Sequence, residues 1–228
     1  MLMKNKKLMI LIIVILVIGA TATAVGVSAA YWVGSDGTST IAPQTDTTDW
    51  NYWSKYFVYE GVYDGEQLKS YRIVEFSGAV YEHVIIPRYA TGGILRTTNP
   101  DGTYSYSATR IKDVATPVSS FGNCVFANTT DKAVPTSITI PTTVEIEAGA
   151  FMGLTNLTTV KIVVVNATDD TPDKRAEIGA MAFFGCNNIT TYIEDANLTS
   201  YQCGATDGDF DAVKSLMGLP ADLTRSAS

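Results

Sequence analysis

Apolar and polar residues alternate over several short stretches of the chain. In Ile138–Ile140 two isoleucines flank Thr139, and in Val160–Ile162 two aliphatic residues flank Lys161. A period of two is typical of a β-strand with one buried face. These stretches therefore predict strands that carry Thr139 and Lys161 on their open faces.

The chain also repeats itself. Ile146–Gly153 recurs as Ile178–Gly185 at an offset of 32 residues, with Ile, Ala, Ala, Phe and Gly at matching positions. Phe121–Phe126 is a degraded copy 25 residues before the first of these, and Ile138–Pro141 echoes Val84–Pro87. Repeats of this length usually indicate a solenoid, because one copy cannot bury its apolar face and must stack on the next.

Two aromatic residues hold the same place in successive copies. Phe151 and Phe183 are predicted to plug the core at an apolar turn, and Gly153 and Gly185 to let the chain reverse there. The copies would then pair their strands in parallel. Ordinary strands in a β-sandwich are the alternative.

The combined pattern resembles the BspA-like class of leucine-rich repeats found on microbial surface proteins. The residues that carry it are Ile138, Ile140, Pro141, Ile146, Ala150, Phe151, Gly153 and Leu157 in one copy, and Ile178, Ala182, Phe183, Gly185, Cys186 and Ile189 in the next. The resemblance implies a short right-handed solenoid, mainly β, over residues 84–200, and adhesion as the usual role. Insertions at 88–112 and 164–176 and the irregular strand Thr191–Glu194 depart from the pattern.

The order of residues in the N-terminal segment is typical of a targeting signal. Lysines precede the apolar run Leu8–Gly19, and small residues follow, which predicts either a cleaved signal peptide or a membrane anchor within residues 1–33. If the segment is not cleaved, residues 8–33 contact the membrane and the rest of the chain lies outside the cell. Gly34–Asp49 is then a flexible linker. These features predict a secreted or cell-surface protein, anchored at its N-terminus.

Aromatic residues crowd the next segment, 50–83. Strands on either side of Asp64-Gly65 predict a hairpin that caps the first repeat. The alternative is that Trp50–Tyr59 displays its aromatic rings to a carbohydrate. In the first insertion, Asn99–Gly102 predicts a projecting hairpin. At the other end, residues 201–228 form a second cap with a short helix from Asp209 to Met217.

Few residues are candidates for catalysis or for binding a cofactor or metal. The single histidine, His83, lies in a predicted strand with no partner that specifies catalysis, and Glu145 and Glu147 are expected on the solvent face of one strand. The sequence contains no phosphate loop, zinc cysteine pair or dinucleotide fingerprint. The prediction is a protein that is not an enzyme and uses neither cofactor nor metal.

The net charge of the chain limits which binding partners it can have. A formal charge of −7 predicts that phosphate-rich nucleic acid is repelled. The expected function is a binding module for a protein or host-matrix ligand. The candidate contact residues are Thr139, Lys161, Thr191, Tyr104 and Tyr106. The alternatives are a structural surface component without a specific ligand and a carbohydrate-binding module.

Overall fold

The computed structural model describes residues 52–77, 82–113, 115–127, 135–166 and 172–227. All of them belong to one compact unit, Ala42–Ser228, and a separate unit, Met1–Ile41, lies outside the described residues. The described chain is mainly β, with one short α-helix. The predicted signal or anchor at 1–33 and the linker at 34–49 also fall outside the described residues. No helix in the described ranges is long and apolar enough to cross a membrane.

The strands are short and follow one another closely. In chain order they are β1 (Phe57–Asp64), β2 (Gln67–Phe76), β3 (His83–Ile85), β4 (Ile94–Thr98), β5 (Tyr104–Tyr106), β6 (Val118–Phe121), β7 (Ser137–Pro141), β8 (Glu145–Ile146), β9 (Thr159–Val163), β10 (Val165–Asn166), β11 (Pro172–Asp173), β12 (Arg175–Glu177), β13 (Thr191–Glu194), β14 (Ser200–Cys203), β15 (Thr206–Gly208) and β16 (Arg225–Ala227). A 3-10 helix spans Ser54–Tyr56, and helix α1 spans Phe210–Val213.

Five strands form one parallel sheet in the order β16-β13-β9-β7-β3. The predicted echo between Val84–Pro87 and Ile138–Pro141 is an actual pairing, because Val84 lies opposite Ile138 in this sheet. Ile138, Val160 and Tyr192 continue the same register and are buried. Parallel strands need a crossover between them, and here each crossover is one copy of the repeat.

A second sheet has the order β5-β4-β1-β2-β6-β8. The predicted hairpin around Asp64-Gly65 is present as the antiparallel pair β1 and β2. β2 then pairs in parallel with β6, and β6 with β8, so the hairpin is continuous with the edge of the repeats. The predicted hairpin around Asn99–Gly102 is β4 and β5, but its base does not project, because β4 pairs with β1 and Ile94 is buried.

The turns of successive copies hydrogen-bond to each other. The amide of Phe151 donates to the Ala182 carbonyl at 2.8 Å, and the amide of Gly153 donates to the Phe184 carbonyl at 2.9 Å. Phe151 and Phe183 are buried and stacked, with ring centroids 5.1 Å apart and an angle of 21° between the ring planes. The predicted plugs therefore pack directly on one another in one core.

Glycines shape these turns as expected. Gly153 and Gly185 have φ of +78° and +81°, which an L-residue with a side chain rarely adopts. Gly218 has φ of +78° and lies against the backbone of Phe184, so the turn occurs a third time after Gly185.

This third occurrence corrects the prediction for the C-terminus. The helix ends at Val213 rather than at Met217. Beyond it, the carbonyls of Leu216 and Met217 accept from the amides of Met181 and Phe183. The chain then turns at Gly218 and adds β16 to the parallel sheet. The segment predicted as a cap thus contributes a strand to the parallel sheet.

The second predicted insertion, 164–176, contains short strands. Residues 165–166 pair with 172–173, and residues 167–171 lie outside the described chain. At its predicted end, Ala176 is buried in β12 and pairs in parallel with Tyr201 of β14.

Candidate functional site

The outward face of the five-stranded sheet carries two rows of side chains in register. One row is made of His83, Ser137, Thr159 and Thr191, and the other of Ile85, Thr139, Lys161, Ile193 and Ser226, of which Ile85 and Thr139 are buried. Neighbouring strands of a sheet lie about 4.8 Å apart, so each row is a rigid, closely spaced ladder. Within these rows Lys161 is the charged side chain on an otherwise polar and aliphatic surface.

Three predicted contact residues lie on this face, but they differ in exposure. Lys161 and Thr191 are half-buried and in reach of solvent. Thr139 pairs directly with Lys161, yet it is only 8% exposed. The usable surface therefore lies toward β9 and β13, and Thr139 contributes little to it.

The other two predicted contact residues lie on β5, at the edge of the second sheet. Tyr104 is exposed, and its ring packs under the Arg96 guanidinium at 4.0 Å from the ring centroid. The Tyr106 hydroxyl is 3.2 Å from a Glu75 carboxylate oxygen, and burial together with Glu75 raises the pKa of Tyr106. The structure thus divides the predicted contact residues between two different sheets.

An ion pair that the sequence did not predict crosses the second sheet. Arg72 on β2 donates from Nε and Nη2 to both carboxylate oxygens of Glu147, at 2.5 and 2.6 Å. Ser120 adds a hydrogen bond from β6 at 3.2 Å. Glu147 is therefore a structural link between coils rather than the solvent-facing carboxylate that the alternating pattern predicted. The hydrogen bonds from Arg72 lower the pKa of Glu147.

A shallow groove of about 450 Å³ lies beside this pair. Its carboxylates are Glu145, Glu147 and Glu177, and Glu177 pairs with Arg175. Desolvation and the neighbouring carboxylates raise the pKa of Glu145. No group of three or more His, Cys, Asp or Glu side chains in the described ranges is arranged to hold a metal ion.

His83 is in β3, as predicted, and is half-buried beside Ser137. The three cysteines are free thiols. Cys186 is buried, with its sulfur 3.0 Å from the Phe151 carbonyl, and burial raises its pKa to about 11. A buried thiol held in its neutral form is a poor nucleophile.

Four of the aromatic rings that the structure describes in the aromatic segment are buried and so cannot stack on a sugar. Trp53, Tyr56, Phe57 and Tyr59 are all buried, and Trp50 lies outside the described residues. The Tyr59 hydroxyl donates to the Ser54 carbonyl at 2.9 Å, and this hydrogen bond holds the side chain in the core. The rings of Phe57 and Phe121 lie 5.9 Å apart, so the segment packs on the first copy of the repeat.

Comparisons with known proteins add one similarity. No family model matches the chain, and no curated protein matches it. A solved structure of a leucine rich cell surface protein from Faecalibacterium prausnitzii A2-165 is similar over 83% of this chain, with 22% identity and a TM-score of 0.35. The chain spans about 40% of the length of that protein. A likeness at this level assigns neither a fold nor a function.

Proposed function

We propose that the chain is a non-enzymatic module of the BspA-like leucine-rich-repeat kind, secreted or held at a cell surface, that binds a protein ligand. The fold we propose is a short right-handed solenoid, closed at one end by the aromatic hairpin. Parallel pairing of β3, β7, β9, β13 and β16, together with the hydrogen-bonded turns, supports this architecture.

One observation carries the binding role. The outward face of β9 and β13 presents half-buried side chains in register, with Thr159 beside Thr191 and Lys161 beside Ile193. A flat ladder of this kind suits a protein partner, because small-molecule sites are concave and largely apolar.

Binding to immobilised matrix proteins tests the proposal. The full chain is passed over collagen, laminin and fibronectin on a biosensor. We expect saturable binding to at least one of them and its loss in the double variant Lys161→Glu, Thr191→Arg. The matched control is Lys69→Glu, which changes an exposed charge on the hairpin strand β2.

Two results would contradict the proposal. Absence of saturable binding to every matrix protein would favour a structural surface component without a specific ligand. Binding that survives the double variant would place the contact on another face of the molecule. The buried aromatics of residues 53–59 give no support to the carbohydrate alternative.

A further inference from the structure

Five asparagines of the chain begin the same short motif. Each has threonine two residues on, with a residue other than proline between them: Asn128, Asn156, Asn166, Asn188 and Asn197. They are half of the ten asparagines in the chain, although threonine makes up only 29 of its 228 residues. This motif is the acceptor for N-linked oligosaccharide, and its use requires a surface position in an exported protein. The surroundings of these asparagines therefore decide whether the motif can be used.

Three of the motifs, those of Asn156, Asn188 and Asn197, lie in the described chain with their side chains. All three asparagines are exposed, and each is the last residue of a turn. An aliphatic residue and the threonine follow, and then a strand begins, which is β9, β13 and β14 respectively. An enzyme can reach an amide in such a turn from solvent, because no other element covers it.

Asn156 and Asn188 hold the same place in successive copies, at the offset of 32 residues. The Thr190 amide donates to the Thr158 carbonyl at 3.0 Å, so the two turns lie side by side. Asn188 Nδ2 also donates to the Thr155 carbonyl at 2.6 Å. An asparagine amide carries two hydrogens, and attachment of a sugar replaces one of them. The modified side chain therefore still has a donor for this hydrogen bond.

The threonine hydroxyls of the three motifs differ in their contacts. The hydroxyls of Thr158 and Thr199 donate to the carbonyls of Thr136 and Lys174, at 3.0 and 3.1 Å. The exposed Thr190 hydroxyl forms a hydrogen bond with no described residue. Contacts within the described chain thus give no reason for a hydroxyl at position 190, whereas the acceptor motif requires one.

We propose that Asn156, Asn188 and Asn197 are N-glycosylated, with an oligosaccharide on a lipid diphosphate as the donor. Nδ2 attacks the anomeric carbon of the first sugar and forms a C–N bond. The C–O bond to the diphosphate breaks, the lipid diphosphate leaves with the bonding electrons, and Nδ2 loses one proton to a base of the transferase. The proposal rests on the secreted or cell-surface location proposed above, and not on the ligand of the sheet face.

Mass spectrometry of the full chain, purified from the cells that produce it, tests the proposal. Its peptides are searched for added sugar mass at each asparagine, so the identity of the oligosaccharide need not be known. We expect sugar on Asn156, Asn188 and Asn197. Asn187 is the internal control, because it is exposed and adjacent to Asn188 but lacks the motif, and it should carry none.

Matched variants at position 190 isolate the role of the motif. Thr190→Val removes the hydroxyl from an exposed side chain of nearly the same shape, so it should abolish the sugar on Asn188 and leave that on Asn156. Thr190→Ser keeps the hydroxyl and should keep both sugars. Thr155→Val, at an exposed neighbour outside the motif, should also keep both. Sugar that persists on Asn188 in Thr190→Val, or that is lost in either of the other variants, would overturn the proposal.

Protease treatment of intact cells separates the glycosylation from the location on which it rests. A chain that is digested on intact cells, or recovered from the medium, but bears no sugar on the three asparagines would overturn the glycosylation alone. A chain that is protected inside the cells and unmodified would overturn both.

Discussion

Two neighbouring copies of the coil, Ile146–Val163 and Ile178–Glu194, share a register but not a composition. Each places a phenylalanine plug in the core and a left-handed residue three positions after its first isoleucine. On the strand that follows, however, the first copy turns Val160 and Ile162 inward, and the second turns Tyr192 and Glu194 inward at the same register.

The difference follows from position in the stack. The second copy lies next to the last strand, where the core ends. There Glu194 is buried and accepts hydrogen bonds from the Tyr201 hydroxyl at 2.7 Å and from Arg225 at 2.8 Å. Arg225 is half-exposed, so its charge remains solvated while it pairs with the carboxylate. An end coil thus tolerates polar inward residues that a middle coil, covered on both sides, does not.

The largest expected effect is on the free energy of unfolding, and it differs between the middle copy, which contains Phe151, and the end copy, which contains Phe183. The Phe151 ring lies between Phe121, at 5.0 Å, and Phe183, at 5.1 Å. Phe151→Ala leaves a cavity that the neighbouring coils cannot fill and should lower the free energy of unfolding by about 3–5 kcal/mol. Phe183→Ala should cost less within that range, because ring stacking is lost on one side. Urea denaturation measures both.

Lys161→Ala is the control for these variants, since Lys161 lies on the open face of β9. It should change the free energy of unfolding by less than about 0.5 kcal/mol. If the three variants had similar unfolding midpoints, neither phenylalanine would be a plug, and the stacking of the copies would be wrong.

The next effect concerns the position after the first isoleucine, which is Glu147 in one copy and Gly179 in the other. A Cβ added at Gly179 would lie 2.3 Å from the Ala148 nitrogen, a backbone atom that cannot move aside. Gly179→Ala should therefore force the two coils apart and destabilise the protein by about 2–3 kcal/mol. The measurement is the shift in thermal unfolding.

Gly153→Ala gives the matched comparison. Its Cβ would meet no atom within 4 Å, so only the positive φ opposes the substitution. A cost of about 1 kcal/mol is expected. Equal losses at Gly179 and Gly153 would show that the close approach of the coils at Gly179 does not determine stability.

The sequence predicts the middle of the stack better than its ends. In the copies at 146–163 and 178–185, the spacing of Ile, Phe and Gly places the plugs, the turns and the parallel strands. The Asp64-Gly65 and Asn99–Gly102 turns likewise place both hairpins, because a turn is set by local residues.

The last strand does not show the repeat pattern, and the reason is physical. β16 reads Arg225-Ser226-Ala227, with no apolar alternation, because its inward position pairs with Glu194 instead of filling a core. A signal existed in Met217-Gly218-Leu219, which repeats Met152-Gly153-Leu154. The Arg72–Glu147 pair, which belongs to the candidate site region, joins residues 75 positions apart, and no local period specifies it.

A smaller effect should depend on pH. Arg72 holds the pKa of Glu147 below its ordinary value of 4.5, so the ionised carboxylate stabilises the folded state above that pH. This contribution should be lost as the pH falls through the lowered pKa. Glu147→Gln should cost about 1 kcal/mol at neutral pH, since both side chains are partly exposed, and nothing at the lowest pH. Urea midpoints measured in steps from pH 7 downward follow the decline.

Glu66→Gln, at the exposed tip of the β1–β2 hairpin, is the control. Its unfolding midpoint should follow that of the unmodified protein at every pH. A cost of Glu147→Gln that stayed constant over the whole acid range would mean that packing, and not the charge of Glu147, links the second sheet to this coil.

The smallest expected effect tests whether the identity of the residue at the left-handed position of each copy affects stability. Cys124, Gly149 and Met181 hold the same left-handed place in three copies, with φ of +50°, +69° and +54°. A residue with a side chain in this left-handed conformation destabilises the folded state by about 1–2 kcal/mol relative to glycine. Glycine offsets part of this advantage, because it gives the unfolded chain more conformational entropy. Met181→Gly should therefore stabilise the protein by a few tenths of a kcal/mol. Gly149→Ala should destabilise it by about 1 kcal/mol, because its Cβ would also lie 3.2 Å from the Asn123 side-chain nitrogen. Thermal melts measure both. A clear loss of stability in Met181→Gly would show that the exposed Met181 side chain itself holds the last turn in place, and that composition rather than backbone register keeps the end of the stack closed.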